Sequence, residues 1–190
     1  MSEDQQDLEV DVYAEYSIVS TLHEEMRVIL DMEPGLLTTR AASVSDWSVC
    51  MQIEHVCLAN KMVTSGLLAI ATSGTGASRS GNINRLGLIL LGRGVIPRGK
   101  ADAPDQYRPD PESNLDSVRL LFEEVNGRLH KIGEHLDSIA AIREGFEHPY
   151  FGILPAPVWI RFMHVHSLHH IKIVRDILAE VDESFTSETV

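Results

Sequence analysis

Acidic side chains are absent from one long stretch of this chain. Between His55 and Ala101 there is no aspartate or glutamate, while Lys61, Arg79, Arg85, Arg93, Arg98 and Lys100 place six positive charges there. The chain as a whole carries a formal net charge of −12, which argues against DNA or RNA as a partner. A basic stretch on an acidic protein is suited instead to a small anionic molecule. Cysteine is also scarce, with only Cys50 and Cys57 present. Seven positions along a helix separate them by about 10.5 Å, beyond the ~7 Å Cα limit for a disulfide. They read as free thiols packed as small apolar groups in a reducing compartment. No run of about 18 consecutive apolar residues occurs, so no membrane span is expected. The acidic opening Met-Ser-Glu-Asp-Gln-Gln-Asp has none of the features of a signal peptide. A cytoplasmic protein is the expectation.

What remains is helical periodicity. With 190 residues and 44% hydrophobic content, the chain suits one domain over 1–190, with an ordered core of about 10–181. A first helix is predicted over about 10–32, from Val12, Tyr16, Val19, Leu22, Met26 and Ile29, stopped by Glu33-Pro34-Gly35. A second follows Ser45 as N-cap, runs over about 46–72 and ends at Ser73-Gly74-Thr75-Gly76. A third covers about 112–144, with Leu115, Val118, Phe122, Val125, Leu129 and Ile132 in its stripe. The fourth begins at Pro157 and continues to about Val181, with a frayed end beyond Glu183. Between the second and third lies a connection over about 73–112, apolar at Ile83–Leu91 and then rich in glycine and proline. It is far longer than a usual helix–helix link. No convincing strand or repeat is read. The fold class is therefore all-α: a four-helix bundle with one long crossover between helices 2 and 3.

The chemistry concentrates near the C-terminus, where His164, His166, His169 and His170 fall within seven residues. At about 100° per residue, with His166 as zero, Trp159, Ile173 and Ile177 lie within about 20° of it. His170 lies near +40°. This i,i+4 pair therefore occupies the middle of the buried stripe, and two imidazoles one turn apart can chelate a transition metal. His164 points away, near 160°, and His169 sits on the flank, near −60°. The second helix supplies a single inward histidine, His55, flanked by Met51, Ala59 and Met62, with Glu54 and Lys61 on another face. Facing helices lie ~8–10 Å apart, so His55 can meet the pair. Three histidines with an open fourth position form the pattern of a catalytic metal site. His23, His130 and His135 have polar neighbours and read as surface or flank.

Trp47-Ser48, His55 in an apolar helix, the long connection, and the His166-x-x-x-His170 pair on the last helix together resemble the DinB-like superfamily. His148-Pro-Tyr-Phe-Gly152 and then Trp159 are similar to one branch of it. The resemblance covers about residues 10–180. It implies a bundle with one divalent transition metal (zinc, nickel or iron) held by His55, His166 and His170. Ile173 stands where many relatives carry a polar residue. It further implies a metal-dependent enzyme, a transferase or isomerase that uses a low-molecular-weight thiol, with metal-dependent hydrolysis or a non-enzymatic metal-binding stress-response module as alternatives.

His148, ahead of Pro149, and His169 are candidates for supporting roles, His148 as a loop cap or acid/base group and His169 as a partner to the ligands. Arg85, Arg93 and Arg98 are the candidates for binding an anionic co-substrate, since guanidinium pairs with carboxylate or phosphate in bidentate fashion. A homodimer is expected, resting partly on the resemblance and partly on Leu86, Leu88, Ile89, Leu90 and Leu91, which exceed what one bundle core needs.

Overall fold

The computed structural model describes residues 8–73, 81–112 and 114–187. Four long helices dominate: α1 (Val12–Leu30), α3 (Val49–Ser73), α5 (Leu115–Gly133) and α7 (Ala156–Ser187). Short helices α2 (Pro34–Thr38), α4 (Arg85–Arg93) and α6 (Leu136–Ala141) lie between them. Side chains fix the starts. Asp11 accepts from the amides of Tyr13 and Ala14 to open α1, and Asn114 accepts from that of Ser117 to open α5. α3 opens at Ser48, whose hydroxyl accepts from the Met51 amide. The N-cap expected at Ser45 is thus moved three residues on, and Ser45 has another task.

Side-chain bonds give the directions of the helices. Glu15 meets Arg161 and His164, and Glu25 meets Arg175, so α1 and α7 run parallel. Lys61 meets Glu124 and Ser65 meets Arg128, so α3 and α5 also run parallel. Gln52 meets His170 and His55 meets His166, so α3 and α7 are antiparallel. Consecutive long helices α3 and α5 that point the same way need a connection running the whole length of the bundle. The expected crossover is therefore present. Its middle forms α4, capped by Asn84 and closed by Gly94 at φ +67°, a left-handed conformation suited to glycine. A 3-10 turn over Asp105–Tyr107 then packs on α3. Arg79 and the Gly74-Thr75-Gly76 stop lie outside the described residues.

Three features differ from the sequence reading. The third helical segment breaks after Gly133, where a Cβ would stand 2.5 Å from the Tyr16 hydroxyl, and resumes as α6. No strand was expected, yet β1 (Gly145–His148) and β2 (Gly152–Pro155) pair antiparallel, with Gly145 opposite Pro155. Four residues are too few to show a convincing alternation. The pairing is tight enough that a Cβ on Gly145 would strike the Leu154 carbonyl. Finally, α7 runs past Val181 to Ser187.

The core falls into two apolar clusters. One gathers Val63, Leu67, Leu129, Trp159, Ile160 and Met163 at the hairpin end. The other gathers Met26, Ile29, Val49, Ile53, Phe122 and Ile177 at the opposite end. Between them the buried positions of α1, α3 and α7 turn polar: His23, His55, Asn60, His166, Ser167 and His170. By length and composition α3 is apolar enough to cross a membrane, but here it is the central packing helix, with Gln52, Glu54, His55, Asn60 and Thr64 buried along it.

Candidate metal centre

His55 projects from α3, and His166 and His170 project from α7, so the antiparallel pairing brings all three to one point in the polar belt. They are 6%, 9% and 8% exposed, and one ligand atom from each lies within 4.8 Å of the other two. The Nε2 atoms of His55 and His166 are 3.1 Å apart. These three residues can hold a metal ion.

The neighbours of the rings decide which nitrogens are offered. The Tyr107 carbonyl stands 2.6 Å from His55 Nδ1. A carbonyl only accepts, so Nδ1 carries the proton and Nε2 keeps its lone pair. His170 Nδ1 lies 2.6 Å from Gln52 Oε1. The Gln52 amide nitrogen donates to the Ser45 hydroxyl at 2.9 Å, and in this arrangement the amide oxygen faces the ring. His170 Nδ1 is therefore the donor, and its Nε2 likewise keeps its lone pair. Two outward N–H groups, one on a carbonyl and one on an amide oxygen, are the usual outer partners of metal-binding imidazoles. The third ring, His166, has a buried Nδ1 with no partner among the described residues and stacks on Phe162 at 5.1 Å.

Charge states agree with this donor set. Burial pushes His166 and His170 well below the usual imidazole value, and the neighbouring imidazoles add to it. Burial also lowers His55, although its bond to the Tyr107 carbonyl opposes the shift. Neutral rings with inward lone pairs fit a cation. Ligand nitrogens on a tetrahedral ion at about 2.0–2.1 Å stand about 3.3 Å from one another, close to the spacing of His55 and His166. The Trp47 indole closes one side, 5.1 Å from the His55 ring and stacked over His170 at 6.4 Å.

The crossover helps to build this site. In running back along the bundle it delivers the Tyr107 carbonyl to His55. Near His169 it places Ile96, whose backbone bonds the imidazole, while burial and the Arg98 charge hold His169 down to about 4. His169 stands edge-on to His170, 4.8 Å away. His148 ends β1, where its Nδ1 accepts from the Tyr150 amide at 3.1 Å, and its ring stacks on Phe151 at 4.2 Å. That is a loop-holding arrangement, and burial lowers its pKa to about 4. Arg85 and Arg93 are the first and last residues of α4, both exposed. Arg98 lies beyond α4 and pairs with Asp176 of α7 at 2.8 Å. His164 leaves the site, as its angle indicates, and meets Glu15 at 2.5 Å.

One expectation is corrected. His23 is not on the surface: it is 1% exposed, stacks on Phe122 and accepts from Asn60. Glu54, on another face of α3 than His55, is buried as well. It lies near Cys50 and Cys57, whose thiols are pushed up by burial and by its charge, Cys50 to about 11. Sequence reasoning also missed Gln52 and Tyr107. Gln52 lies about 60° from His55 around the helix, and a polar residue there was a usable signal. A backbone carbonyl from a distant turn leaves none.

No family model matches this chain, and no curated protein matches it.

Proposed function

We propose that the protein is a metal-dependent enzyme of the DinB-like type, in which His55, His166 and His170 hold one divalent transition metal through Nε2. Zinc, nickel and iron all accept three imidazoles. The observation that carries this reading is the outward commitment of the Nδ1 protons of His55 and His170, to Tyr107 and Gln52. It leaves converging lone pairs that, among the described residues, only one His166 proton meets. A bound ion supplies Lewis acidity, and with three protein ligands it keeps a position open for a thiol or water. The chain's own part is to orient the imidazoles through Gln52 and Tyr107 and to shield one side with Trp47. Within this reading the co-substrate is a low-molecular-weight thiol and the reaction is transfer or isomerisation.

Metal analysis of protein purified without an affinity tag tests the first half, with about one divalent ion per chain expected. The second half is tested by zinc-, nickel- or iron-loaded protein accelerating the conjugation of monochlorobimane with glutathione or cysteine. That rate should vanish in His55→Ala. Bound metal without acceleration by either thiol removes the thiol chemistry, and absence of metal removes the whole reading.

The same reading includes a homodimer in the cytoplasm. Leu86 and Ile89 of α4 are exposed, as are Tyr13, Ile18 and Val28 of α1, whereas Leu91 is spent in the core. Light scattering at micromolar concentration checks it, and a mass near that of one 21.1 kDa chain counts against it.

A further inference from the structure

We infer that the cleft between α7 and the segment following α4 binds a small organic anion, a carboxylate carried on a compact apolar body. Val165, Leu168, His169 and Lys172 follow one another at helical steps of three and four, so they share one face of α7. The left-handed turn at Gly94 lays the following segment, with Ile96 and Arg98, along that face. Together they enclose about 290 Å³. That is at the lower end of the ~300–1,000 Å³ of small-molecule pockets, with room on the order of ten non-hydrogen atoms at the ~30 Å³ of a liquid water.

The lining is divided by chemistry. Ile96, Val165 and Leu168 give it an apolar floor. Arg98 and Lys172 are the charged groups at its rim, and among the described residues no carboxylate lines it. Asp176, one turn beyond Lys172, holds Arg98 at 2.8 Å across an exposed pair, both side chains about half exposed. Exposed ion pairs contribute little, so Arg98 can exchange Asp176 for a ligand carboxylate. In a protein of net charge −12, a cavity whose described lining sets two cations above an apolar floor selects a small anion with an apolar part. Its inner wall is His169, edge-on to His170. That the occupant serves the metal centre rests on the reading of the preceding subsection, but the cleft itself does not.

The test is an amide chemical-shift titration of the full chain with benzoate, with benzyl alcohol as its uncharged counterpart and inorganic phosphate as charge without an apolar body. Benzoate should give saturable shifts at Ile96, Arg98, His169 and Lys172, and both other probes should bind more weakly. Lys172→Gln should weaken benzoate about fivefold. Asp176→Asn should tighten it about twofold by releasing Arg98. Both positions are exposed, so neither change threatens the fold. Equal affinity for benzyl alcohol, equal affinity in Lys172→Gln, phosphate binding as tightly as benzoate, or shifts centred elsewhere would each overturn the inference. Benzoate binding in a chain that holds no metal would support the cleft and sink the metal reading. Bound metal with no benzoate binding would do the reverse.

Discussion

A trio of buried histidines and a single fourth one share the polar belt of this bundle, and their neighbours make them chemical opposites. At His55, His166 and His170, two of the three rings give their Nδ1 protons to outward acceptors, and their lone pairs converge. One helical turn along α3, the Asn60 amide nitrogen stands 3.2 Å from His23 Nε2 and 3.2 Å from the Ser167 hydroxyl. There the imidazole lone pair is already filled by an N–H. What is left over is His23 Nδ1 and Asn60 Oδ1, buried and without partners among the described residues. Burial and ring type are nearly the same in the two places. At His55 and His170 the neighbours take the proton and leave the lone pair for a ligand bond, whereas at His23 a neighbour takes the lone pair.

The largest effect that can break this comparison is on metal content. His166→Ala/His170→Ala should lose the ion completely, since one imidazole remains, whereas Asn60→Ala should retain it at full stoichiometry. Elemental analysis of both proteins decides it. Equal metal in the double mutant and the wild type would mean that the ion sits elsewhere.

The next effect belongs to His23. Burial, helped by the charge of Arg27, lowers its pKa to about 4, against 6.5 for the free group. Between those values the unfolded chain binds the extra proton, so stability rises with pH across that window. The contribution is whole above about pH 6.5 and is lost as the pH falls toward 4, amounting to about 3 kcal/mol. Urea unfolding at pH 5 and pH 7 should show His23→Leu losing less stability on acidification than wild type, by about 1–2 kcal/mol. An unchanged difference between the two pH values would show that His23 is not kept neutral by the fold.

How much of this could be read in advance depends on the kind of group involved. The candidate ligands His55, His166 and His170 were legible because helical phase alone decides which side chains face the core. His23 obeys the same rule, only about 40° from Val19 in the first stripe, and was misread because Glu24 and Glu25 follow it. The bundle and its crossover were visible in apolar spacing and in the length of the connection. The hairpin was not, because four-residue strands held by a close glycine contact carry no period. Ser45 was assigned by residue type as an N-cap, but the helix starts later and the hydroxyl serves Gln52. Contacts made through backbone atoms, such as the Tyr107 carbonyl, have no sequence signature.

A third, smaller effect separates orientation from ligation. Gln52→Ala removes the acceptor of His170 Nδ1 but no ligand. Loss of such a partner typically weakens metal affinity 10- to 100-fold. Competition with a chromophoric chelator should therefore show a weaker site that still fills to the same stoichiometry. An unchanged affinity would mean that the His170–Gln52 bond does not set the ring.

The smallest effect lies one bond further out, at Ser45. Its hydroxyl accepts from the Gln52 amide at 2.9 Å and from the Trp47 backbone at 3.1 Å, so it holds both the residue that aims His170 and the segment that places the indole over it. Ser45→Ala leaves Gln52 in place but free to turn its amide. A turned amide would present N–H to His170 Nδ1, favouring the tautomer whose inner nitrogen is protonated and cannot bind. Ser45 is only half-buried, so water can replace the lost hydroxyl at little cost. The expected loss is about threefold in metal affinity, below the effect of Gln52→Ala because the hydroxyl acts through one more bond. In the Gln52→Ala background the same substitution should add almost nothing, since the two residues act in series. Additive losses in the double mutant would show that Ser45 works through Trp47 instead.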